Sequence, residues 1–366
     1  MPEMPRKGTR TGFSTGACAT AATKAAMSVL LGGPIPERVM VSLPVGDMVS
    51  FAVAECVPGD REVMCGVVKD AGDDPDVTNR ALIRSTVSWL QEPGVIRLEA
   101  GDGVGVVTKP GLGIEVGQPD ITRVPRRMIT EAVSNVAADA LREHGVRVVL
   151  SVPGGQELAK KTELGRLGVV GGVAILGTTG IVRPYSTSAF RAGISIAVGM
   201  AAANGERHLV VTTGGMSERY AKQLVNLPEM AFIQMGDFVG FTLQESVKRK
   251  VERVTISGMI GKLSKMAKGT MQTHAAGSAV DTEFLAGLAV ECGAGDDVLS
   301  AIRSANTARH VAELIAQHHV PGFFDRLADR VCAAAFGHAK GALSIECLLT
   351  DFEGRLVGKA SVERTP

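Results

Sequence analysis

The sequence predicts an α/β fold in two parts: a mixed α+β domain over residues 1–145 and a Rossmann-like, mainly parallel-sheet domain over 146–366. Three observations predict it. After residue 145, apolar runs ending in Gly-rich turns recur as VRVVLSVPGG, GVAILGTTG, HLVVTTGG, AFIQMGDFVG and RVTISGMIGK. Strands buried on both faces of a sheet are apolar throughout in this way. Helix-capable segments such as 188–203 and 217–225 lie between most of these runs, and helical crossovers make the sheet parallel. Before residue 145 several runs alternate apolar and polar residues, as half-buried antiparallel strands do.

Taken in order, residues 11–16 are a Gly- and hydroxyl-rich turn leading into an Ala-rich helix over 17–31, stopped by Gly32 and Gly33. Strands are expected at 38–43, 48–57, 62–68, 81–89 and 95–99, followed by a Gly-rich hairpin region at 101–117. Pro125 opens an amphipathic helix over 126–143, at a position where proline is tolerated. The five apolar runs follow, starting at 146, 172, 208, 231 and 253. In such sheets ligands bind outside the carboxyl ends of the strands, which places the loops 177–180, 213–215 and 236–238 at one sheet end. Residues 286–335 are mainly helical, and a hairpin over 343–349 and 355–360 closes the chain.

Of 366 residues, 45% are hydrophobic and 21% charged, enough to bury a core and too apolar for a disordered tail. A net charge of +1 argues against nucleic-acid binding by bulk electrostatics. No apolar run approaches the roughly 18 residues of a membrane span. The segment MPEMPRKGTRTGFSTG has two prolines and no apolar centre, so no secretory signal is expected. None of the six cysteines forms a C-x-x-C pair; they read as small buried hydrophobes in a reducing cytosol. The expected localisation is cytoplasmic. KRK at 248–250 reads as a solvated helix face.

Four groups of residues suggest chemistry. Gly177 and Gly180 let backbone N–H groups approach a ligand, and Thr178 and Thr179 add hydroxyls; the alternative is a tight turn of any α/β domain. RTGFSTG before an Ala-rich helix is an anion cradle at a positive helix end, or simply a cap by Ser14 or Thr15. KDAGDDPDVT crowds Asp70, Asp73, Asp74 and Asp76. Such carboxylates raise one another's pKa and can supply a base; a cation site or a solvated Asx-turn loop would use the same residues. His318 and His319 are adjacent and do not face the same way on a helix, and no metal-ligand motif is present. No protein-bound metal is expected. G-x-G-x-x-G and P-loop patterns are absent, so motif spacing does not identify a cofactor.

The segments RTGFSTGACATAA (10–22), KDAGDDPDVT (69–78), GLGIEVGQPDITRVPRRMI (111–129), GGVAILGTTGIVRPYS (171–186), VTTGG (211–215), MGDFVG (235–240) and VDTEFLAGLA from Val280 resemble the cobalt-precorrin-5B C1-methyltransferase family of anaerobic cobalamin biosynthesis. The one departure is HAAGSA (274–279), where a more basic stretch is expected. The resemblance implies transfer of a methyl group from S-adenosylmethionine to C1 of a cobalt-containing tetrapyrrole, giving cobalt-precorrin-6A. The cobalt belongs to the substrate.

On that resemblance the roles are these. The cofactor-binding candidates are Gly177, Thr178, Thr179, Gly180, Thr213, Gly214, Gly215, Gly236 and Asp237. Asp237 would meet the ribose hydroxyls or the ammonium, with a helix N-cap as its alternative. Asp70 and Asp73 are the candidate bases. The substrate carries many acetate and propionate groups, so Arg10, Arg126, Arg127 and Arg183 are expected to contact it, together with Thr11, Ser14, Thr15, Asp74 and Ser186. His274 and Glu283 flank the VDTEFLAGLA helix, from which they could reach the site. Domain 146–366 would hold S-adenosylmethionine, and domain 1–145 would form a wall for the tetrapyrrole. Catalysis would be mainly positioning, with reacting atoms about 3 to 3.5 Å apart. A non-catalytic corrinoid carrier and a nucleotide-dependent oxidoreductase or kinase are the competing readings. A homodimer is the default assembly for a soluble enzyme of this size.

Overall fold

The computed structural model describes residues 8–274 and 280–364. Most of MPEMPRK-G and residues 275–279 of the HAAGSA stretch therefore lie outside the described residues. The chain forms two compact units, divided between Ser186 and Thr187, 41 residues beyond the expected 145/146 boundary.

The first unit begins with β1 (Gly12–Phe13) and α1 (Thr15–Leu30). Strands β2 (Arg38–Ser42) and β3 (Met48–Ala52) form a hairpin. β4 (Glu55–Pro58), β5 (Glu62–Val68), β6 (Leu82–Leu90) and β7 (Ile96–Ala100) follow, then the two-residue strands β8 (Gly103–Val104) and β9 (Val106–Val107). After α2 (Arg123–Val136) come β10 (Gly145–Ser151), α3 (Gly155–Ala159), β11 (Val169–Val170), β12 (Gly172–Val173) and β13 (Ile181–Val182). The main sheet has the order β4-β5-β6-β10-β7. Only the β10–β7 pair is parallel.

Two expectations are corrected here. VRVVLSVPGG is a strand, but it fills a slot in this largely antiparallel sheet rather than starting the parallel one. Val146, Val148 and Leu150 face the core and are fully buried, whereas Arg147 and Val149 on the other face are half-buried, the alternation of a strand with one buried face. The run from Gly172 gives only β12, paired to β8, and a loop that returns through β13 to β1. The proline helix also starts earlier, at Arg123, and ends at Val136. Pro125 still lies in the first turn, where its missing N–H has no intrahelical acceptor to lose.

α1 is the centre of this unit. Residues from Thr15 to Met27 are buried with the exception of Lys24, so the helix shows no solvent face over three turns. Alanines let it lie close to β5, β6 and α2, and its hydroxyls are all engaged. Thr15 Oγ1 donates to the Ala174 carbonyl (3.0 Å) and accepts from the Leu176 amide (2.9 Å). Thr20 returns to Gly16 O, and Thr23 bonds both Ala19 O and Ser85 Oγ. Polar groups can be buried at this density only when each has a partner.

The second unit contains α4 (Thr187–Ala203), β14 (His208–Thr212), α5 (Gly215–Leu224), β15 (Phe232–Gln234), α6 (Val239–Lys248), β16 (Arg253–Met259) and α7 (Ile260–Ala267). Four more helices follow: α8 (Thr282–Glu291), α9 (Asp296–Arg303), α10 (Ala308–Gln317) and α11 (Phe323–His338). The closing hairpin is β17 (Ser344–Thr350) and β18 (Leu356–Val362). The sheet order is β15-β14-β16-β17-β18. Its first four strands are parallel and β18 is antiparallel. The expected doubly wound sheet is therefore here. It uses three of the five apolar runs, and β17 of the hairpin completes its parallel part.

Two residues of the first unit make its energetics testable. A Cβ on Gly16 would lie 2.4 Å from Pro125 Cγ and 3.0 Å from the Leu176 carbonyl oxygen. Gly16→Ala, ordinarily a gain in a helix, should therefore destabilise the protein by about 1–3 kcal/mol through overpacking. Gly287→Ala in α8 meets nothing within 4 Å and should stabilise by about 0.5–1 kcal/mol; denaturant titration of both variants checks the contrast.

Asp120 is 3% exposed, and burial raises its carboxyl to about 6. Its main chain is clamped, with N–H to Gly105 O (2.7 Å) and C=O accepting from Ile175 N (2.8 Å). A carboxyl raised on folding weakens the native state as pH climbs from its unfolded value near 4 through 6. At roughly 1.4 kcal/mol per unit, relief by Asp120→Asn should reach about 3 kcal/mol near pH 8 and vanish near pH 4. Melting curves of both proteins at the two pH values decide it; an equal effect at both would overturn the assignment.

Candidate functional site

The N-terminus of α1 is not an open anion cradle. Gly16 N–H donates to Leu176 O (3.0 Å), Ala17 N–H to Ser14 Oγ (3.2 Å) and Cys18 N–H to Ser14 O (3.1 Å). The helix donors that a ligand would need are spent on the chain itself. Ser14 is the N-cap, and Thr15 is tied to the 174–176 backbone. Thr11 is exposed beside them. A Cβ on Gly177 would fall 2.3 Å from Ser14 Oγ, and one on Gly180 2.8 Å from Leu43 Cδ2. Thr179 Oγ1 bonds Ile181 within its own turn, and Thr178 is exposed. The 177–180 loop thus closes against α1 in the first unit, and does not share a sheet end with 213–215 and 236–238.

The acidic loop is stitched rather than crowded. Arg10 bonds Asp70 through Nη1 and lies 3.7 Å from Asp73 through Nε. The Arg10 N–H also donates to the Asp73 carboxylate at Oδ2, and the Asp73 N–H returns a bond to the Arg10 carbonyl. The Arg10 bond, with the Gly72 amide, holds the Asp70 carboxyl below the usual carboxylate range. This is opposite to the rise that mutual repulsion predicts, because a cation sits among the acids. Burial alone would raise Asp76, but hydrogen bonds from Lys69 and Thr78 bring it below its ordinary value. Asp74 accepts from the Tyr185 amide (3.1 Å). Gly72 N–H to Asp70 Oδ1 and Thr78 N–H to Asp76 Oδ1 are Asx-turns. Asp70 is therefore poorly suited as a base, and Arg10 is committed to the loop.

Among the other arginines, Arg127 lies 3.7 Å from Glu131 one helical turn away. Arg126 is half-buried and Arg183 exposed, and neither has a carboxylate partner among the described residues. Ser186 ends the first unit.

The second unit holds a crevice that strand order dictates. Counted from its own first strand, the sheet order is 2-1-3-4-5, and connections leave β14 and β16 in opposite directions. The reversal opens a gap beyond their carboxyl ends, where doubly wound sheets take ligands. A cavity of about 670 Å³ lies there, within the usual range for small-molecule sites. The loop after β14 supplies Thr213, Gly214 and Gly215, the loop after β15 supplies Asp237, and α7 supplies Lys262. His274 also lines it. Glu283, by contrast, is turned to Arg303 (3.1 Å).

Thr213 Oγ1 bonds Ser217 Oγ (2.8 Å). Lys262 Nζ donates to Thr213 O (2.9 Å) and lies 3.0 Å from Asp237 Oδ1. Thr273 Oγ1 donates to the same Asp237 oxygen (3.2 Å). Both contacts use Oδ1, which leaves Oδ2 to a ligand. Asp237 is not the N-cap of α6; that position is Phe238. Gly236 has φ 55° and packs under the Phe190 ring, so its role is the turn. A Cβ on Gly214, Gly215 or Gly261 would meet nothing within 4 Å: these glycines open onto the crevice.

Sequence reasoning missed Lys262, Lys265, Arg309 and Phe352, all of which line this cavity. The signal for Lys262 was present in the GMIGK turn of the last apolar run, and Lys265 follows one turn further along α7. Nothing local marks Arg309 or Phe352, which strand order alone brings to the crevice.

Two family profiles match the chain, one described as CbiD over residues 3–184 and one as CbiD, C-terminal domain, over 272–361. A cobalt-precorrin-5B C(1)-methyltransferase of Geobacillus kaustophilus is 48% identical over 97% of this chain and 95% of its own length. The enzyme of that name from Thermus thermophilus is 49% identical, again over 97% and 95%; that of Priestia megaterium is 44% identical over 98% of both. A solved structure of a cobalamin biosynthesis protein (cbiD) from Archaeoglobus fulgidus is 25% identical, covers 85% of each chain and has a TM-score of 0.38. On profile and sequence identity along nearly its whole length, the chain belongs to the CbiD family.

Proposed function

We propose that the chain transfers a methyl group from S-adenosylmethionine to C1 of cobalt-precorrin-5B, giving cobalt-precorrin-6A. The observation that carries this reading is 44–49% identity, over nearly the full length, to relatives named for that reaction. The crevice of the second unit supports it by offering a donor site of suitable size and shape. Its open glycines at 214, 215 and 261 form a floor that any side chain would fill.

S-adenosylmethionine supplies an already activated methyl on a sulfonium, so the protein needs no nucleophile of its own. Its residues bind and orient. Asp237, fixed through Oδ1 by Lys262 and Thr273, presents Oδ2 to a ribose hydroxyl or to the ammonium. The Thr213–Gly215 turn brings backbone against the ligand. Phe352 is held in place because Tyr220 Oη donates to its carbonyl (2.9 Å), and it gives the crevice an aromatic surface suited to a base. The bound arrangement works by holding C1 in line with the methyl and by excluding water.

Calorimetric titration with S-adenosylhomocysteine tests the donor assignment, with NAD and ATP as controls. Saturable heat is expected from S-adenosylhomocysteine alone. Gly215→Val should weaken that binding at least about tenfold without lowering the melting temperature, because the new side chain fills open space rather than packed atoms. Heat from NAD or ATP would instead favour the nucleotide-dependent oxidoreductase or kinase. Corrinoid binding without any affinity for S-adenosylhomocysteine would identify a carrier.

A further inference from the structure

The crevice of the second unit carries more positive charge than its proposed donor can use. Its lining includes Lys262, Lys265 and Arg309 against one carboxylate, Asp237. Lys262 is paired to Asp237. Arg309 is paired along α10 with Glu313 (2.9 Å) and lies 4.8 Å above the Phe352 ring. Lys265 has no carboxylate partner among the described residues. Its Nζ reaches only the Thr273 carbonyl, at 3.4 Å, from a half-buried position. In a chain of net charge +1, this is a local surplus.

S-adenosylmethionine has two positive groups and one negative. A single carboxylate can satisfy one cation of the crevice, while the sulfonium and ammonium are repelled by the rest. A second, acid-rich ligand beside it would remove the imbalance. We infer that the Lys265 side of the crevice seats carboxylate side chains of the tetrapyrrole, with Arg309, over the Phe352 ring, as a second cation at the same rim. This rests on the proposed methyltransferase reading and extends it by naming the residues that select an acid-bearing substrate.

The two neighbours have different expected weights. Lys265 lacks an acid partner, so a substrate carboxylate gains a charge-assisted bond there without breaking another. Arg309 must share its guanidinium with Glu313, so its loss should matter less. Discrimination follows from the same chemistry. A ring whose acids are esterified keeps its shape and loses the charges Lys265 would meet.

The test measures equilibrium binding of a cobalt corrinoid bearing free carboxylates, and of its fully esterified form, to the full-length protein. For Lys265→Gln the acid form should lose about tenfold to hundredfold in affinity, with the ester and S-adenosylhomocysteine unchanged. Arg309→Gln should lose only a few-fold, and Lys265→Arg should retain most of the affinity. Lys248→Gln, on the solvated face of α6, serves as the charge control, and melting curves confirm folding. Unchanged acid binding by Lys265→Gln, equal loss of acid and ester, or no binding of the acid form by the wild type would overturn the inference. Loss of S-adenosylhomocysteine binding in Lys265→Gln would also overturn it, by assigning the lysine to the donor. If instead the wild type ignores S-adenosylhomocysteine while acid binding still depends on Lys265, the donor assignment falls and the carboxylate seat stands.

Discussion

The first unit depends on burying a helix on every side. α1 is short of bulk and full of hydroxyls, a composition that would make a weak surface helix with little to hold it in place. Its Ala and Gly positions instead permit close approach, and its Thr and Ser hydroxyls then require partners at fixed places. Thr15 draws in the 174–176 backbone, Ser14 receives Gly177, and Thr23 reaches Ser85 on β6. This explains why segments far apart in sequence, around residues 12, 72, 125 and 176, meet at one helix end. They are joined by packing, and the ligand-like look of RTGFSTG is the appearance of a cap that the protein fills itself.

The second unit follows a different rule. Four of its five strands are mostly buried and pair in parallel, so the helices must cross over them and the order must reverse somewhere. The reversal between β14 and β16 leaves backbone without cover. Small residues at the two loops keep that space open, and the polar groups around it come from elements that have no local reason to be polar there. Function in this unit is a by-product of topology, refined by a few side chains.

Much of the secondary structure was legible. The period-two runs at 62–68 and 81–89 correspond to β5 and β6, and the terminal hairpin lies within a residue or two of its expected bounds. The home of each strand was not legible. VRVVLS reads as a doubly buried strand, but Arg147, Val149 and Ser151 are only half-buried, and an apolar run says nothing about which sheet does the burying. The same limit applies to the site. Thr213, Gly214, Gly215 and Asp237 stand where turn chemistry placed them, whereas 177–180 has the same local look and a different neighbour. Asp70 misled for another reason: repulsion among acids was visible in sequence, and the cation that reverses it, Arg10, lies 60 positions away. Lys262 closes the RVTISGMIGK run and Lys265 lies just beyond it, and neither position marks a cavity until the strand order is known.

Glycine clusters alone therefore do not distinguish a binding loop from a packed one, but the space beside a glycine shows which ones packing requires. At Gly16 and Gly177 a methyl group would strike atoms at 2.3–2.4 Å, so selection for glycine there is explained before any ligand is considered. At Gly214, Gly215 and Gly261 the space is vacant, and Gly215 and Gly261 lie in helices, where glycine costs about 0.5–1 kcal/mol relative to alanine. Vacant glycines also occur away from any cavity, as at Gly287, so it is the shared position of these three on the crevice lining that sets them apart. The loops that carry them are the ones flanking the strand-order reversal. Geometry and glycine placement thus point to the same crevice by independent routes.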